Sequence, residues 1–244
     1  MPPSPRHPIR QELSALTRLA IPLAIAQGGQ ALMGVVDAAV VGRVSAVALA
    51  GVGLGNALQL GVSILGTGVM MGFDPLFAQA VGAGDRGGAR RLLWQGVWLS
   101  AALAVVLALP LLVVPFVLEP LGIEPAVAAE ASDYVLWRIP GLGFLFLYGV
   151  ARGYLQASNV TRPIVIATVV ANLANVPLDL LFVFGGAGLP AWTGPLRFVP
   201  AMDAAGAAVA TSLCTLLQAA LLAAAVAGSR LPSVHPALRR PAPA

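Results

Sequence analysis

Residues 161–185 read TRPIVIATVVANLANVPLDLLFVFG, and this stretch decides what kind of protein the chain is. After Arg162 it carries a single ionisable side chain, Asp179. A helix crossing the apolar core of a bilayer needs about 20 mainly apolar residues, so the stretch reads as a transmembrane span rather than a strand or a surface helix. Five similar stretches accompany it, at 13–41, 46–72, 93–118, 129–153 and 203–228. With 58% hydrophobic residues, 10% charged residues and a mean hydropathy of +0.87, the chain is too apolar to keep a wetted surface. The expected fold is an all-α membrane protein: a six-helix transmembrane bundle over 13–228, between an N-terminal tail (1–12) and a Pro/Arg-rich tail (229–244). The apolar run from 13 to 41 exceeds the core of a secretory signal, about 7 to 15 residues, so it counts as a span.

All fourteen basic residues are Arg, and they lie between apolar runs rather than on one basic face. The net charge of +4 therefore points to membrane topology and not to nucleic acid. Arg6, Arg10, Arg18, Arg86, Arg90, Arg91, Arg152, Arg162, Arg230, Arg239 and Arg240 fall at one set of alternate ends. The other set holds Arg43, Arg138 and Arg197, and its middle connection carries Glu119, Glu124, Glu130 and Asp133. The positive-inside rule then puts both tails in the cytoplasm of a bacterial inner membrane. Asp74 to Leu92 reads as a loop with a short surface helix, and Pro190 to Pro200 as a loop punctuated by Gly and Pro. Trp94, Trp98, Tyr134 and Trp137 suit an aromatic belt or plain packing.

Chemistry concentrates in two acids. Asp37 and Asp179 lie inside apolar runs, where an ionised carboxylate costs several kcal/mol unless paired or hydrated. With both tails inside, the two fall at similar depth toward the outer ends of the first and fifth spans. Asn172, Asn175 and Asp179 share one helical face, and Pro177 in NVPLD should bend that helix and free a carbonyl. Thr211 of the sixth span reaches the same depth. Carboxylate, amide, hydroxyl and carbonyl oxygens suit a hard cation, and the carboxylates could equally take a proton. The plainer reading makes Asn172, Asn175 and Thr211 interhelical hydrogen-bond glue, which for Thr211 alone is the favoured one. Asn56 and Gln59, and with them Asn172, are weaker candidates for a polar cavity wall.

Gly51 and Gly55 of GVGLG follow no strand, so they read as sites of close helix packing rather than a nucleotide loop; Gly68 and Gly72 are read likewise. Cys214 is alone in an apolar run and reads as a buried core residue. His7 and His235 lie in the tails without partners for base chemistry. The sequence holds no Ser-His-Asp arrangement, Lys-bearing phosphate loop or zinc motif, so no enzyme is expected.

Several strings, taken in order, resemble the N-terminal lobe of multidrug and toxic compound extrusion (MATE) transporters. They are LTRLAIPLAIAQGGQALMGVVDAAVVGRVSAVALAGVGLGNAL from Leu16, FAQAVGAGD from Phe77, RGYLQASNVTRPIVIATVVANLANVPLDLLFVFG from Arg152 and AAGAAVATSL from Ala204. The resemblance implies a cation-coupled antiporter lobe that exchanges Na+ or H+ for organic, often cationic, drugs. It places the cation site at Asp37, Asn175, Asp179 and Thr211, with no other cofactor. It also implies two six-helix lobes around a central cavity, so the chain is expected to need a second lobe or a second copy of itself, in contact with membrane lipid and a small organic substrate. Gly186 to Met202 is long for the family's connection. Two rivals stay open: a lipid or polysaccharide flippase of related fold, and a noncatalytic assembly subunit in which the two Asp residues merely pair across helices.

Overall fold

The structure, a computed structural model, describes the backbone of residues 8–228; before Gln27 it describes only the side chains of Leu13, Thr17, Ala20, Ile21, Ala24 and Ile25, and that of Ala191 is left aside. His7, His235 and most of the two expected tails lie outside the described residues. The elements are α1 (Pro8–Val41), α2 (Ala46–Met71), α3 (Phe73–Gly82), α4 (Arg86–Val117), α5 (Pro125–Ala157), α6 (Arg162–Phe184), a 3-10 segment (Ala191–Phe198) and α7 (Asp203–Gly228). There is no strand among the described residues. Among the described residues, five segments are long and apolar enough to cross a membrane: α2 with α3, then α4, α5, α6 and α7. The uncharged stretch Leu19–Val36 of α1 supplies the sixth span.

Local sequence sets the helix ends. Ser45 accepts the Ala48 N–H at 2.9 Å and starts α2 after a tight turn, while the Asp85 carboxylate accepts the Gly88 N–H at 2.8 Å and starts α4. That cap draws GGARR into α4, so the expected loop over Asp74 to Leu92 shrinks to a turn of three residues, 83–85. The expected surface helix is α3, which is joined to α2 at Gly72 and is not superficial: its Phe77 is fully buried, edge-on to Tyr154. Pro is tolerated in the first turn of a helix, which is how α5 and α6 begin. α1 starts at Pro8, within the stretch assigned to the N-terminal tail.

α5 is the central helix, packed on α7, α2 and α4, while α6 lies against α7 and α1. Gly51 and Gly55 let α2 approach α5 closely: a Cβ on Gly51 would fall 2.4 Å from Glu130 Cβ, and one on Gly55 2.8 Å from Tyr134 Cδ1. Gly68 does not share this role, since it faces open space, and Gly72 is the joint before α3. Cys214 is buried beside Met33 and Ala171. Large apolar side chains such as Trp98 and Phe116 project outward from α4, as a lipid-facing helix requires.

The charge bookkeeping changes in one respect. Glu130, Asp133, Arg138 and Arg152 belong to α5 itself and not to connections: all four fall within the stretch 129–153, which the 33-residue α5 covers in full. Arg152 is buried and donates to Gln27 Oε1 of α1 at 3.2 Å.

Candidate functional site

Four helices deliver polar side chains to one point. α1 brings Asp37, α5 brings Tyr134, α6 brings Asn175 and Asp179, and α7 brings Thr211. Asp37 is 1% exposed, and Asp179 and Asn175 are not exposed at all. The Thr211 hydroxyl donates to the Asp37 carboxylate, lying 2.7 Å from Oδ2 and 2.9 Å from Oδ1. Asn175 Nδ2 donates to Asp37 Oδ1 at 3.3 Å, and the Tyr134 hydroxyl lies 3.4 Å from Oδ2. Both oxygens of Asp37 are thereby engaged.

Asp179 differs. It sits beside Asp37, near enough for the two carboxyls to act on one another, yet neither of its oxygens has a hydrogen-bond donor, and Asn175 Oδ1 also lacks one. Three buried acceptor oxygens without donors are costly unless a proton or a cation joins them. Arg138 supplies a positive charge felt by both carboxyls, with its guanidinium 5.8 Å from the Tyr134 ring centre. Among the described residues, no group of three or more His, Cys, Asp or Glu could hold a metal by itself. An ion here would rely on two carboxyls, an amide oxygen and a hydroxyl, the donor chemistry of a hard cation.

A cavity of about 430 Å³ adjoins the pair. Asp37 and Thr211 line it together with Asn56, Gln59 and Arg138, whereas Asp179 and Asn175 do not, so Asp37 stands between the cavity and Asp179. Gln59 is buried with its Oε1 unpaired. Asn172 lies apart from the cluster: its Nδ2 donates to the Thr168 carbonyl of its own helix at 2.9 Å, and its amide packs where Gly29 of α1 approaches. The shared helical face did not make it a member, because a side-chain amide can be satisfied within its own helix. α6 continues through Pro177 to Phe184.

Tyr134 and Arg138 are the site residues that sequence reasoning missed. Tyr134, read there as an aromatic-belt or packing residue, is fully buried at the site, whereas Trp137 is half exposed. The available signal was their i, i+4 spacing within one span. A second missed feature is a polar face on α1: Gln27, Gln30 and Asp37 fall on one side at spacings of three and seven, and each is tied to another helix. Gln27 meets Arg152, and Gln30 donates to Gln218 at 2.7 Å.

Residues 22–181 match the MatE family. The chain belongs to this family. A multidrug resistance protein MdtK of Yersinia pestis is 33% identical over 187 residues, which are 75% of this chain and 40% of that protein. The chain thus spans about two fifths of the length of this MATE relative. Among solved structures, the eukaryotic MATE transporter AtDTX14 superposes with a TM-score of 0.79 at 17% identity, over 93% of this chain and 49% of that one. A MATE structure in the bent conformation gives 0.72 at 24% identity, over 86% and 44%. The bundle therefore has the fold of a single six-helix lobe of a twelve-helix MATE transporter, in a multi-pass membrane protein.

Proposed function

We propose that this MATE lobe belongs to a Na+- or H+-coupled antiporter that exports organic, often cationic, drugs by alternating access, working with a second six-helix lobe or a second copy of itself. The observation that carries this reading is the Asp37–Asp179 pair, where three buried oxygens, both of Asp179 and Oδ1 of Asn175, lack donors. Two adjacent carboxylates out of water cannot both stay ionised without counter-charge. Arg138 offsets one, so one proton or one Na+ balances the other.

The geometry gives a route from that balance to exchange. Asp37 belongs both to the carboxyl pair and to the cavity wall, so a cationic drug in the cavity and an ion at the pair compete for the same negative charge. Losing the ion leaves two carboxylates facing each other, which favours an arrangement in which α1 has moved relative to α6. Ion and drug shift this equilibrium only by their different affinities for the two arrangements. Among the described residues Arg138 is the only basic side chain lining the cavity, so a cation suits it better than the phosphate headgroup a flippase would carry. Export of a cationic dye driven by an ion gradient, and lost when the carboxyls are neutralised, is the test of function.

Orientation is tested separately. Without Arg138 and Arg152, the described connections and helix starts still place Arg86, Arg90, Arg91 and Arg162 at one end and Arg43 and Arg197 at the other. That supports an inner-membrane protein with both termini cytoplasmic. In a Cys214→Ser background, Glu119→Cys should react with an impermeant thiol reagent on intact cells, and Ala83→Cys only after lysis; both positions are exposed. The opposite pattern would invert the topology.

A further inference from the structure

At the end of the bundle far from Asp37, α4, α5 and α7 enclose a groove of about 310 Å³. Leu93 and Val97 of α4, Leu147 and Val150 of α5, and Ala223 of α7 make its walls apolar. Arg90, Trp94 and Tyr154 also line it, and chain order puts Arg90 and Tyr154 at the same end, before Leu93 on α4 and after Leu147 on α5. A shallower cavity of about 360 Å³ continues outward over one face of α4, formed by Gly87, Arg90, Arg91, Trp94 and Gln95. Arg90 and Trp94 are common to both, so the two form one amphipathic surface.

We propose that this surface is a binding site for an anionic phospholipid, with the phosphate held by Arg90 and Arg91 and an acyl chain laid along the apolar groove. Positive charge at this end of the helices would arise from topology alone; the groove beneath it is what turns charge into a site. Among the described residues no acidic side chain lines either cavity, and the nearest carboxylate in sequence, Asp85, is engaged by the Gly88 N–H. Among the described residues Arg90 and Arg91 form no ion pair. Guanidinium pairs bind phosphate oxygens through directed, charge-assisted hydrogen bonds. Trp94 stands between the cationic and the apolar parts, the level at which its ring meets a lipid glycerol backbone. From Arg90 to Val97 the helix rises about 10 Å, which separates a headgroup from the upper part of its chain. A zwitterionic lipid would fill the groove but leave the paired guanidinium groups without a net counter-charge.

The test is lipid retention by the purified chain in native mass spectrometry, with phosphatidylglycerol or phosphatidylcholine of identical acyl chains. Wild type should retain phosphatidylglycerol preferentially, and R90Q/R91Q should lose that preference, on the order of tenfold or more for two interfacial charges. R90K/R91K should keep most of it, and Arg197→Gln, at the other end of the bundle, all of it. Phosphatidylglycerol brominated on its chains should quench Trp94 in a protein whose other three Trp residues are Phe, more than brominated phosphatidylcholine does. Equal retention of the two lipids by wild type, or equal quenching by both, would overturn the proposal without reliance on how any Arg variant folds. So would an unchanged preference in R90Q/R91Q.

Discussion

Asp179→Asn sharply lowers ion-driven export in an assembled transporter while leaving expression and thermal stability at or above those of wild type. Asp179 is buried with both oxygens lacking donors, so its charge is a cost to the folded lobe and not a bond that holds it together. Asn keeps the shape, removes the charge and adds an N–H2 that can reach the orphaned Asn175 Oδ1 or the Asp37 carboxyl. The substitution imitates the neutralised pair permanently, so drug can still enter the cavity but the ion gradient no longer biases the two arrangements. A fall in gradient-driven export on the order of tenfold to a hundredfold is expected, the range of a lost coupling free energy. Asp37→Asn should lose coupling as completely but lower stability, because its carboxylate accepts from Thr211 and Asn175 and faces the Tyr134 hydroxyl. Thr211→Ala removes one donor and keeps both charges, and should weaken coupling less. Wild-type export rates in both Asn variants would return the pair to a structural role.

Vesicles that hold these 244 residues only as monomers show no export above that of empty vesicles. The structures that share this fold are about twice as long, and alternating access needs two bodies moving around a shared site. In a lone lobe, the cavity lined by Gln27, Asn56 and Gln59 would open to lipid where water is required, and polar groups in hydrocarbon are costly. A parallel homodimer could reproduce the approximate two-fold axis that relates transporter halves. The measurement combines mass in detergent with reconstitution under an imposed ion gradient, with and without a second lobe. Transport by verified monomers would defeat the prediction, and transport confined to dimers or two-lobe mixtures would bear it out.

Most of the bundle could be read from the chain because a membrane span is its own ruler. Once the ends of 161–185 and 13–41 were marked, Asp179 and Asp37 fell at one depth, and the structure brings them together with Asn175 and Thr211. Charges near span ends were the weak point. Arg138 and Arg152 looked like connection residues, since hydropathy cannot tell a charge in a helix turned toward a polar site from one in a loop. Tyr134 was ambiguous for a related reason: the ring satisfies an apolar pattern whether its hydroxyl meets water or Asp37. The amide pair of Gln30 and Gln218 joins helices 188 residues apart and left no trace in periodicity. The three-residue turn before α4 was hidden because Asp85 could cap a helix or sit in a Gly-rich loop, and only its contact with Gly88 decides.

The claim that one ion is held at the Asp37–Asp179 pair can be measured on the lobe itself, without a partner or a drug. An infrared difference spectrum of the purified chain, taken between acidic and neutral conditions with and without Na+, separates a protonated carboxyl from a carboxylate. The predicted result is a protonated-carboxyl band that Na+ suppresses or H+ alone controls, and that disappears in Asp179→Asn. Persistence of every protonated-carboxyl band in Asp179→Asn, with no change in the carboxylate region on adding Na+, would contradict it.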